Sequence, residues 1–82
     1  MDFKTPQTKL IYQDLKSRYN KATLTKKELA KEFTVSVSTI DLYISKGVGI
    51  PNYKKLGKSK NAKVVFNIID VAEYLAKTIK TA

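Results

Sequence analysis

Apolar residues recur along this chain at helical intervals of three and four, except between about residues 50 and 66, where a shorter period takes over. The first helical series follows Thr5-Pro6. Thr5 can cap free amides, and Pro6 sits at the first helical position, where a missing N–H costs nothing. A helix is predicted over residues 6–20, running to about Tyr19. Its stripe is Leu10 or Ile11, Leu15, Tyr19 and Ala22, with Lys9, Asp14, Lys16 and Arg18 spread over the remaining surface. Thr25-Lys26-Lys27-Glu28 then reads as a capping box, in which hydroxyl and carboxylate reciprocally satisfy backbone donors, and Leu24 with Leu29 forms a hydrophobic staple across it. The short helix started there buries Leu29, Ala30 and Phe33 and turns Lys26, Lys27, Lys31 and Glu32 outward.

Thr34-Val35-Ser36 separates that helix from the next apolar series, with Ser36 as cap and Val35 with Ile40 as a second staple. On 100° steps, Val37, Ile40, Tyr43 and Ile44 share the inner face of this third helix. Ser38, Leu42 and Ser45 point the opposite way, flanked by Thr39, Asp41 and Lys46, and Gly47 ends the helix. Tyr53-Lys54-Lys55-Leu56 and Lys63-Val64-Val65-Phe66 are short strand candidates on either side of Gly57 to Ala62, a hairpin over 53–66 with a basic tip. A closing helix over 67–79 is predicted with Asn67 as cap, Asp70 three residues later, Phe66 and Val71 as staple, and Val71, Tyr74, Leu75 and Ile79 buried.

The pattern contains no repeat, low-complexity tract or dividing linker, so residues 1–82 form a single domain, mainly α with a small β-hairpin. At 82 residues the chain has no room for a large enzyme core. It has no Cys and no His, which removes disulfides, thiol nucleophiles, imidazole bases and the usual zinc ligands. Glu28 and Glu32 share a helix face, but Glu28 has a capping task, and both are read as structural. No enzymatic activity, metal or cofactor is expected. Nothing resembles a targeting or membrane-spanning segment, so a cytoplasmic protein is expected.

Charge changes the picture more. The chain carries 16 basic and 7 acidic residues, a formal charge of +9, and a compact cationic domain calls for an anionic partner. Every basic residue except Arg18 is Lys, as an AT-rich genome would also produce, so charge alone leaves a merely soluble basic protein as an open alternative. Position is more telling. Lys46, Lys54, Lys55, Lys58, Lys60 and Lys63 fall in one stretch that contains no acid, and each can pair with a phosphate. Tyr12 and Tyr53 are the two tyrosines left available for stacking, while Tyr19, Tyr43 and Tyr74 lie on apolar stripes.

Two short capped helices joined by a three-residue turn form a helix-turn-helix arrangement, whose second helix fits the major groove of DNA; helical hairpins without DNA partners share the pattern. Residues 24–40, from Leu24-Thr25-Lys26-Lys27-Glu28 through Thr34-Val35-Ser36 to Ile40, resemble the helix-turn-helix of small MerR-like winged domains, the group that includes excisionases and AlpA-type regulators. Gly47 to Pro51, the basic hairpin, and Asp70-Val71-Ala72-Glu73-Tyr74-Leu75 are similar to that group's wing and closing helix, so the resemblance covers about 24 to 76 and the first helix is an addition. It implies a winged helix-turn-helix, with the segment from Ser36 to Lys46 in the major groove and a wing around Gly57 to Lys63 on backbone or minor groove. Three features depart from the group. Thr34 replaces the usual turn Gly and resists a left-handed backbone, Val37 and Leu42 stand where relatives present Arg or Lys, and Asp41 repels phosphate unless it reaches a cytosine amino group.

The expected partner is double-stranded DNA, bound by a transcriptional regulator or recombination accessory factor, with a homodimer or cooperative assembly on DNA left open. Ser38 and Leu42 are the candidates for base edges, Thr39 and Lys46 for phosphate, Lys58, Lys60 and Lys63 for the wing's backbone contacts, and Asn61 for a minor groove. Leu42 either touches a thymine methyl or marks a protein contact. The competing class is a protein-interaction adaptor that keeps the fold without reading sequence.

Overall fold

The helix starts foreseen in the first half of the chain carry their caps in a computed structural model, which describes residues 3–58 and 63–77. The elements run α1 (Pro6–Tyr19), β1 (Thr23–Thr25), α2 (Lys26–Phe33), α3 (Val37–Lys46), β2 (Lys54–Leu56), β3 (Lys63–Asn67) and α4 (Ile68–Lys77). Thr5 accepts a hydrogen bond from the Thr8 amide at 3.1 Å. The capping box of α2 is complete: the Glu28 amide donates to Thr25 Oγ1 at 3.2 Å, and the Thr25 amide to Glu28 Oε1 at 2.9 Å. Ser36 caps α3 by accepting from the Thr39 amide at 3.1 Å.

Thr34 does adopt the left-handed conformation, at φ 59° and ψ 45°. Its amide reaches Lys31 O at 3.2 Å and the Val35 amide reaches Ala30 O at 3.0 Å, so the closing carbonyls of α2 are satisfied at the expense of a strained β-branched residue.

The architecture is mainly helical, with four described helices and a three-stranded antiparallel sheet in the order β1-β3-β2. β1 is an addition to the hairpin predicted from sequence. Thr23, Leu24 and Thr25 pair with Asn67, Phe66 and Val65, making β3 the central strand. On its other edge Val65, Val64 and Lys63 pair with Lys54, Lys55 and Leu56. Val64 and Phe66 turn inward, joining Leu15, Leu24, Leu29, Ala30, Ile40, Ile68, Val71 and Ala72 in one buried cluster. α1 packs against α4. No described helix is long and apolar enough to cross a membrane.

Several sequence expectations are corrected. Of the alternatives on α1, Ile11 packs on the core while Leu10 is 66% exposed; Ala22 is also exposed, and Tyr12, expected to be available, packs against the core with Phe3 tilted on its ring. A buried Thr8, with its hydroxyl 3.0 Å from that of Thr5, fills the stripe instead. Val37, assigned to the core by helical angle, is 39% exposed, because the first residue of a helix lies at the rim of its packed face. Asn67 is the last residue of β3, and the first amide of α4 is satisfied by the main chain, Ile68 donating to Ala22 O at 2.9 Å. Ile79 lies outside the described residues.

Candidate nucleic-acid interface

α3 is held from one side only. Ile40 is fully buried, Tyr43 and Ile44 are half-buried, and Ser38, Asp41, Leu42, Ser45 and Lys46 are exposed, which is the division its 3.6-residue period predicts. Because α1 lies on α4, it leaves this outer face open. Gly47 stops the helix in a left-handed turn at φ 71°, its amide donating to Tyr43 O at 2.9 Å. Two residues on, Gly49 lies against the Tyr43 ring so closely that a Cβ would sit 3.3 Å from it, so the chain turns tightly under α3 before entering β2.

The described acidic residues of the first half are committed to holding this scaffold. Lys26 at the start of α2 reaches Asp41 on α3 at 2.7 Å, which neutralises the one carboxylate on the outer face. Lys21 pairs with Glu28 at 2.8 Å, closing the loop before α2 onto its capping box. Arg18 grips both Glu32 oxygens at 2.8 Å and Asp14 at 2.9 Å, while the Tyr19 hydroxyl donates to Glu32, so α1 and α2 are clamped together. The Arg18 guanidinium holds the Glu32 carboxyl below its usual range, against an opposing push from burial. Burial likewise pushes Glu28 up, but the Lys21 ammonium and the Thr25 amide outweigh it and bring the group down. Glu32 and Asp14 raise the pKa of Arg18, chiefly through the Glu32 bond, while burial and its bond to Glu32 raise that of Tyr19.

The second half is different. Among the described residues no ion pair involves Lys46, Lys54, Lys55, Lys58 or Lys63, and all five are exposed. Register assigns them to faces: Lys63 opposes Leu56 and Lys54 opposes Val65, so these two lysines share the sheet face turned away from buried Val64 and Phe66. Lys60 and Asn61 lie outside the described residues.

The described candidates thus fall into two groups. Ser38, Leu42 and Lys46 are brought together on the open side of α3, and Lys58 and Lys63 flank the hairpin tip. Thr39 stands apart from the first group, being half-buried with its hydroxyl 3.0 Å from Ser36 Oγ and engaged in the cap. Ser45, Lys54 and Lys55 were placed by the sequence on the outer side of the third helix and in the basic stretch, without a role at a groove or the wing's backbone contacts. Ser45 follows from the helical period and Lys54 from its pairing with Val65, whereas Lys55 lies opposite buried Val64 and is exposed on the edge strand of the β1-β3-β2 order. The chain matches no family model, and neither curated proteins nor solved structures yield a similar chain.

Proposed function

We propose that this chain is a winged helix-turn-helix protein of the MerR-like or excisionase kind that binds double-stranded DNA without catalysing a reaction. In this reading α3 enters the major groove and the β2–β3 hairpin is the wing on the sugar-phosphate backbone. The observation that carries it is the separation of charge: acids of α1, α2 and α3 are consumed in internal ion pairs, while five exposed lysines between 46 and 63 have none among the described residues. A surface of that kind gains its binding energy by releasing counterions from a phosphate backbone. An α-helix such as α3, about 10–12 Å across with its side chains, fits the roughly 12 Å width of a major groove. A regulator or recombination accessory factor needs no more chemistry than this.

The test is the salt dependence of binding to random-sequence duplex. Replacing Lys58, Lys60 and Lys63 with Ala weakens binding equally on all sequences and flattens the plot of log affinity against log salt by up to about three units. An unchanged slope removes the hairpin from the interface. Half-exposed Leu42 beside a neutralised Asp41 favours a second reading, an adaptor that contacts a protein through α3. That reading predicts no retardation of random duplex at moderate salt.

A further inference from the structure

The outer face of α3 carries an unusual set of groups for a helix that reads DNA. Its centre is Leu42, 50% exposed, between the small hydroxyl side chains of Ser38 and Ser45. Asp41 is tied to Lys26, Thr39 is engaged with Ser36, and the face's one cation, Lys46 in the last turn, has no ion pair among the described residues. The face therefore has no Arg, Asn or Gln to make the two-pronged bonds that distinguish guanine or adenine, and its serines bond to any base edge. One discriminating chemistry remains. An exposed branched apolar side chain in a major groove is complementary to the C5 methyl group of thymine, the single apolar feature that a base pair presents there.

Resting on the DNA-binding reading above, we infer that this protein selects its sites by thymine methyl groups, packed against Leu42 and admitted by the small side chains of Ser38 and Ser45. Affinity comes from the lysines and is common to all duplexes, and preference comes from this apolar contact. Removing a methyl group from the contacted thymine therefore costs about fourfold in affinity, the value of burying one carbon of that size.

Exchanging thymine for uracil deletes the methyl group and leaves the minor-groove edge and the phosphates unchanged, so it isolates the contact. The probes are a short alternating adenine–thymine duplex and the same duplex built with uracil, with dissociation constants measured by fluorescence anisotropy. The native chain binds the thymine duplex about fourfold or more tightly. Leu42→Ala and Leu42→Ser, which remove an exposed side chain outside the core, bind both duplexes alike, near the native value for uracil. Equal binding of the two duplexes by the native chain, or discrimination that survives in both variants, overturns the inference while leaving DNA binding intact. Failure of the native chain to bind either duplex at low salt removes the DNA-binding reading and the inference with it.

Discussion

Thr34 has the least favourable backbone position among the described residues: a β-branched side chain at φ 59°, where steric contact with the carbonyl costs about 1–2 kcal/mol. Thr34→Gly removes that cost and adds about 0.5–1 kcal/mol of chain entropy lost on folding, so the variant gains up to about 1.5 kcal/mol. A rise in the urea midpoint without a change in slope is the expected result. The strain itself was legible in the sequence, because Thr34 stands at the turn position where the helix-turn-helix group that residues 24–40 resemble carries Gly. Other single residues were harder to assign. Leu10 and Ile11 are adjacent and equally apolar, and helical period alone left both open; the packing of α1 on α4 decided for Ile11. Val37 failed for a related reason, since an angle on a helical wheel carries no information about where the packed partner ends.

At the scale of elements, the joint between α1 and α2 depends on ionised carboxylates. Glu32 and Glu28 have lowered pKa values in the folded chain, so their contributions are fully present above their ordinary value of 4.5 and are lost as pH falls through the lower folded values. Asp70 has the opposite sign: burial and neighbouring Glu73 raise its pKa, so it costs stability at neutral pH and that cost disappears in acid. Glu32→Gln, which breaks the two-pronged Arg18 bond, is expected to lose about 1 kcal/mol at neutral pH, a modest value because Arg18 is well exposed. It also reduces the loss of stability in acid, and denaturant titrations of both proteins near pH 7 and near pH 3 check this. The helices were legible because caps and staples are local: Thr25, Glu28 and Ser36 act within three residues of themselves. β1 was not, since three residues show too little alternation to signal a strand and its reason for existing is the distant edge of β3. The clamp by Arg18 was equally hidden, because its partner lies fourteen residues away on another helix.

For the whole molecule, charge and packing are unevenly distributed over the described residues. One half of the chain spends its described acids on holding three helices together, and the other presents exposed lysines on the last turn of α3 and on the β2–β3 hairpin. The basic run from Lys46 to Lys63 was readable as composition, whereas the pairing of Asp41 with Lys26, which removes a repulsive charge from the outer face, required the fold. In the proposed reading α3 and the hairpin contact one duplex together. The most direct test follows the amide NMR signals of the isotope-labelled chain during titration with a short DNA duplex. Concerted shifts over 38–46 and at Lys54, Lys55, Lys58 and Lys63, with the solvent side of α1 around Lys9 and Lys16 unchanged, are the result expected of that reading. Shifts confined to α1, or spectra that do not respond to duplex at low salt, would contradict it.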